Sequence, residues 1–195
     1  MSATPAPATE VVGLVLAAGR STRFADDKRR ARLPDGRSLL GASIDSARQV
    51  FAEVWVVLRQ DDDAEGLGIP PGVGIVRSAQ ADLGMGHSLA AGIRQLLPCR
   101  ARDVAILLGD MSWIAPASLQ ALAQAADPQR IVLPWHSGQR GHPVIFGRRF
   151  WPALLQTQGD QGAKALIAAS AAFCDAVELE DPAVLRDVDT REDLG

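Results

Sequence analysis

A chain of 195 residues, 47% hydrophobic and 22% charged, has the make-up of a soluble globular protein and the length for one domain with a sizeable core. Its 20 Lys and Arg against 23 Asp and Glu leave a formal net charge of −3, which argues against nucleic-acid binding while leaving room for a small anionic ligand. The two cysteines, Cys99 and Cys174, have no paired spacing, so a disulfide framework and a zinc site are not expected, and reduced thiols in a cytoplasmic protein are.

Residues 1–10 are rich in Ala, Pro and Thr without a basic n-region and read as a disordered tail, leaving 11–195 as a single domain. The apolar run from Val11 to Ala18 is too short to span a bilayer, so no membrane partner is expected. Val11–Ala17 reads instead as a buried parallel strand. The basic stretch from Arg20 to Gly36 reads as a loop. Leu39, Leu40, Ile44, Ala47 and Phe51 recur at helical spacing, predicting a helix over Ser38–Phe51. Strands follow at Val54–Leu58 and Val73–Val76, then a helix at Ser88–Leu97. Val104–Leu108, the most hydrophobic run, is expected to be a central strand. Pro116 opens a helix reaching Ala126. Strands are expected at Ile131–Leu133, His142–Phe146, Ala176–Leu179 and Leu185–Val188, with helices at Arg148–Gln156 and Gly162–Ser170.

Strands and helices alternating in this way predict a three-layer α/β fold, a mostly parallel sheet covered by helices on both faces. Ligands of such sheets bind beyond the carboxyl ends of the strands, so the loops after Ala17, Val76 and Leu108 should line one cleft. At the first of these, Leu16, Ala17, Ala18 and Gly19 let the backbone approach a ligand closely, and Arg20, Arg23 and Lys28 add charge suited to a polyphosphate. Arg29, Arg30 and Arg32 beside them are expected to be solvated charges. Asp110, just past the central strand, has on position alone the place of a helix-capping group. Two other patterns are set aside. The glycines of Gly36–Ser43 have P-loop spacing, but Ala42 stands where the lysine belongs. Gly86-His87-Ser88-Leu89-Ala90 approaches a serine nucleophile elbow, but Ala90 replaces the last glycine.

The segment Leu16-Ala17-Ala18-Gly19-Arg20-Ser21-Thr22-Arg23-Phe24 with Lys28 resembles the L-A-A-G-x-S-x-R-F/M-G-x-x-K signature of the molybdenum-cofactor nucleotidyltransferase-like family, with Ala25 where the family usually has Gly. Further matches follow in register: Gly84-Met85-Gly86 with Ser88 and Leu89, Asp110-Met111, Arg140-Gly141-His142-Pro143, Gly159-Asp160 with Gly162 and Ala163, and Asp187, Asp189 and Thr190. The resemblance implies a glycosyltransferase-A-like (nucleotide-diphospho-sugar transferase) fold and Mg²⁺-dependent transfer of a nucleotidyl group to a phosphorylated acceptor such as molybdopterin. It implies a nucleotide site at Leu16, Ala17, Ala18, Gly19, Arg20, Ser21, Lys28, Gly84, Gly86 and Ser88, with Arg23, Lys28 and Asp110 catalytic. It places the acceptor at Arg140, Gly141, His142 and Asp160, and the metal at Asp110 with Asp189 or Asp187. Ala18, where the guanylyl branch typically has Gly, favours CTP over GTP. A molybdoenzyme or its chaperone is the implied protein partner. GTP-dependent transfer, transfer to a sugar or other small metabolite, and a nucleotide-sensing module without turnover are the alternatives. Ser112 departs from the family, which usually has Pro there.

Overall fold

Six consecutive apolar residues, buried from end to end, make Val11–Leu16 the first strand, β1. A strand buried on both faces belongs in the middle of a parallel sheet. β1 accordingly lies between β2 (Val54–Arg59) and β4 (Asp103–Leu108), parallel to both, and β3 (Gly74–Ser78) pairs with the outer side of β2. The computed structural model describes residues 10–20, 27–188, 190 and 192–194.

Beyond β4 the direction changes. β5 (Ile131–His136) turns through Ser137 and Gly138, both at positive φ, into the two-residue β6 (Gln139–Arg140). β7 (Val144–Gly147) is antiparallel to both β4 and β5, and β8 (Cys174–Glu178) is parallel to β5. The sheet runs β3-β2-β1-β4-β7-β5-β6, with β8 on β5. The α/β sheet with helical layers is the one expected, but it is more mixed than the strand-helix alternation implied.

One apolar layer, under α1 (Leu39–Arg48) and α3 (Pro116–Gln124), gathers Val15, Leu40, Ile44, Leu107, Leu119 and Leu122. The opposite layer, under α2 (Met85–Leu96), α4 (Trp151–Leu154) and α5 (Lys164–Ala169), gathers Leu14, Leu89, Ile93, Val104, Trp151 and Ile167. Ser38 caps α1 by accepting from the Gly41 amide at 3.1 Å. α3 is capped from a distance: Asp181 accepts from the Ala115 amide at 3.0 Å and the Ser118 hydroxyl at 2.7 Å. Among the described residues no helix is long and apolar enough to cross a membrane.

Several elements differ from the sequence reading. α2 begins at Met85, three residues early. The strand expected from His142 starts at Val144, because Pro143 has no N–H for a ladder. The expected helix over Arg148–Gln156 splits into a 3₁₀ turn at Arg148–Phe150 and the short α4, with Pro152 in its first turn. The expected closing strand Leu185–Val188 is not one. Pro182–Leu185 forms a 3₁₀ turn capped by Asp181, and the carbonyls of Val184 and Val188 serve the His142 amide and Lys28 Nζ instead of a sheet neighbour.

The basic loop after β1 contains a 3₁₀ turn, Lys28–Arg30, capped by Asp27. Arg29 is not a solvated charge: the residue is only 4% exposed. Its guanidinium donates to Asp27 at 2.7 and 2.8 Å, to Asp62 Oδ1 at 2.8 Å and to the Ala17 carbonyl at 2.9 Å. A buried cation has to be matched this fully. Burial opposes the charge on Asp62, but hydrogen bonds from Arg29 and the Arg59 amide outweigh it and hold the carboxyl down at about 2. Stability from this group is complete above its unfolded value of 3.8 and is lost as pH falls toward 2. Asp62→Asn should therefore cost about 2–3 kcal/mol in urea unfolding at pH 7, and the difference from wild type should shrink steadily below pH 4.

Asp103, at the opposite end of the sheet, shows the reverse sign. It is 2% exposed and its Oδ1 has no hydrogen-bond partner among the described residues. Burial, aided by the Asp127 and Glu10 charges against that of Arg102, pushes it up to about 6. The folded protein thus holds this proton more tightly than the unfolded chain, and stability falls as pH rises from 3.8 through 6. Asp103→Asn removes the penalty of ionisation, so thermal unfolding should show a gain worth up to about 3 kcal/mol at pH 8 and none at pH 4.

Candidate nucleotide site

The carboxyl ends of β1 and β4 and the amino end of α2 enclose a pocket of about 630 Å³. Three chain segments line it: Leu16–Arg20, Ala81–Ser88 and Leu108–Asp110, joined by Lys28, Arg29 and Asp160. This is the cleft expected from the three strand-end loops. The main chain of Leu16 and Ala17 is committed to the protein itself. The Leu16 carbonyl accepts from the Gly109 amide at 3.0 Å, the Ala17 amide donates to Val57 at 3.0 Å, and the Ala17 carbonyl holds Arg29. The backbone left to approach a phosphate begins at Ala18.

Glycines set the far wall. Gly84 has φ +117, and a Cβ there would lie 2.3 Å from the Gly159 carbonyl carbon. A Cβ on Gly86 would lie 2.6 Å from the Gln158 backbone, and the Gly86 amide donates to the Gly159 carbonyl at 2.8 Å. Two motifs far apart in sequence thus meet backbone to backbone, which only glycine permits. The contact brings Asp160 to the rim. At the mouth, Arg20 reaches across to Asp82 with paired hydrogen bonds of 2.5 and 2.6 Å, both groups well exposed.

At the floor Lys28 Nζ donates to Asp110 Oδ2 at 2.6 Å and to the Val188 carbonyl at 2.8 Å. Both side chains are 18% exposed, open to a ligand but screened from bulk water. Among the described residues no three His, Cys, Asp or Glu side chains cluster as a metal cage. Asp110 instead offers a hard oxygen donor in a pocket open to phosphate oxygens. That fits a magnesium-type ion, which takes one or two carboxylates and completes its shell with substrate and water.

The structure brings Leu16, Ala17, Ala18, Gly19, Arg20, Lys28, Gly84, Ser88, Asp110 and Asp160 into one pocket. Gly86 stands behind the wall, buried. Arg140, Gly141 and His142 do not line the pocket. Gly141 is packed against the Val184 carbonyl, and the His142 amide donates to that carbonyl at 2.8 Å. The His142 ring is largely buried with Nδ1 unpartnered among the described residues. Burial and the Arg140 charge lower its pKa, while Asp110 and then Asp187 pull the other way. Those carboxylates place His142 in the electrostatic neighbourhood of the pocket. Asp187 is exposed, and Ser21, Arg23 and Asp189 lie outside the described residues. Sequence reasoning missed Asp82, Arg29 and the Val188 carbonyl. Nothing in local spacing marks the first or the last, and Arg29 is indistinguishable in sequence from the solvated arginines beside it.

Residues 13–175 match the family model described as the MobA-like NTP transferase domain. The purine catabolism protein PucB of Bacillus subtilis is 27% identical over 193 residues, which cover 94% of this chain and 93% of that protein. A probable molybdenum cofactor guanylyltransferase of Chloroflexus aggregans is 33% identical over 114 residues, 57% of this chain and 51% of that protein. Among solved structures, Rv0371c of Mycobacterium tuberculosis superposes with a TM-score of 0.82 at 28% identity over 95% of each chain, and it has also been solved in complex with manganese. The match over most of the chain, on a sheet whose strand ends build a pocket of this kind, assigns it: the chain belongs to the MobA-like NTP transferase family and is a nucleotidyltransferase.

Proposed function

We infer that this nucleotidyltransferase moves CMP from CTP to a phosphorylated acceptor of the molybdopterin type, with Mg²⁺ and with release of pyrophosphate. The observation that carries the reading is the pairing of Lys28 with Asp110 on the floor of a pocket that small residues, Ala17 to Gly19 and Gly84, help to line. The two charges neutralise each other. Lys28 would turn to a bound triphosphate, and Asp110 would hold the cation. That cation would supply charge neutralisation and stabilise the leaving pyrophosphate.

The chain's own residues do the positioning. The turn Ala18–Arg20 and Lys28 hold the phosphates, and Gly84 to Ser88 form the wall for the nucleoside. An acceptor phosphate oxygen attacks the α-phosphorus in line and the bond to the bridging oxygen breaks. Such chemistry asks for orientation and preorganised charge more than for a covalent nucleophile. Asp160, on the rim, is the acceptor-side residue that the pocket supports. Arg140 and His142 would act from the neighbouring 140–143 segment, and Asp187 or Asp189 would complete the metal site.

A matrix of the four NTPs against molybdopterin and a panel of phosphorylated metabolites, read as Mg²⁺-dependent pyrophosphate release, tests the reading. Turnover with no acceptor in the panel, despite tight NTP binding, would favour a sensing role. Asp110→Asn should lower turnover by roughly 10²–10³-fold with the fold retained, as circular dichroism would report. Turnover at the wild-type rate in a folded variant would remove Asp110 from the metal site.

We assign the choice of base to Ala18, which lines the pocket where the guanylyl branch typically has Gly. Calorimetry should show CTP bound more tightly than GTP, with Ala18→Gly narrowing the gap by about 1–3 kcal/mol. Equal affinities in the wild-type protein would return GTP to first place.

A further inference from the structure

Lys28 is held by two acceptors, and one of them, the Val188 carbonyl, belongs to a segment 160 residues away. That segment forms no strand. It runs from the turn at Pro182–Leu185 past Arg186 and Asp187 to Val188, whose side chain is fully buried with Leu33, Leu39 and Ala42. Trp113 packs against the edge of this small cluster. Arg186, exposed on the strap, lays its guanidinium 3.9 Å from the centre of the Trp113 ring and donates to the Asp193 carbonyl at 2.8 Å. The indole thus touches the cluster that seats Val188 and also carries the strap's cation. Trp113 lies three residues past Asp110, so the platform is part of the loop that bears the carboxylate.

We propose that the stack of Arg186 on Trp113 is a positioning device for Lys28, clamping the strap so that the Val188 carbonyl aims the ammonium group at the phosphate site. Neither residue touches the pocket. The inference rests on the reading of Lys28 as a phosphate ligand and adds to it the pair that keeps Lys28 in place. A lysine on four rotatable bonds needs such an anchor, because the same charge swinging freely would lose much of its effect on a bound triphosphate. Asp110 alone does not supply the anchor once it has a cation to hold. The strap carbonyl then remains the fixed acceptor for Lys28.

The test is a binding cycle with CTP and cytidine as probes, using full-length protein. Arg186 is exposed, so Arg186→Gln should fold. It should weaken CTP roughly twofold to fivefold, the range expected for loss of one exposed cation–π contact, and leave cytidine affinity nearly unchanged. Arg186→Lys, which keeps a cation over the ring, should recover a large part of the loss. In a Lys28→Met background, Arg186→Gln should have no further effect on CTP, because the clamp acts through the missing ammonium group. Equal losses for CTP and cytidine, or the same loss with and without Lys28, would overturn the proposal. Separately, a Lys28→Met protein that binds CTP as well as wild type would overturn the phosphate role of Lys28 itself, a different failure.

Discussion

A guanidinium cannot leave water without partners for its donors, and the loop after β1 is organised around that constraint. Arg29 is buried because Asp27 precedes it in the same turn, Asp62 follows β2, and the Ala17 carbonyl ends β1. Each partner comes from a different piece of chain, so the cation fixes their relative positions. The turn that carries Arg29 also carries Lys28. A structural ion network on one side of a three-residue turn therefore sets where the Lys28 ammonium group begins on the other. The same burial that would be costly for an isolated charge becomes a source of geometric definition when every donor is matched.

The core was legible wherever one period dominated. Val11–Leu16 and Val104–Leu108 are continuous apolar runs, and the apolar spacing of α1 admits only one reading. The pocket was legible for a related reason: in an open sheet the strand ends share an edge, so loops far apart in sequence have to meet there. What escaped was decided by tertiary partners. Arg29 and Arg30 are adjacent and chemically identical, yet one is buried and the other exposed, because only one faces Asp62. Residues 185–188, apolar at Leu185 and Val188, lie where no strand edge is offered. The Val188 carbonyl binds a lysine instead, and the Val184 carbonyl just before them binds a backbone amide.

The strand β7 also explains why the segment bearing His142 lies near the pocket without lining it. In a parallel sheet every strand begins at the edge remote from the ligand. β7 is reversed, so its beginning lies where its neighbour β4 ends, with Val144 opposite Ile106. The residues before β7, Arg140 to Pro143, are thereby delivered to the edge that bears the pocket. There Gly141 packs against the Val184 carbonyl, which accepts from the His142 amide.

The position of the strap ties together distant parts of the sequence. β1 pairs with β2 from the first third of the chain, but its other neighbour, β4, begins only at residue 103. Val188 lies later still, beyond β8. The turn that follows β1 is thus joined by one ammonium group to the end of the central strand and to a segment 160 residues away, so that loosening either one reaches the charge on the floor of the pocket.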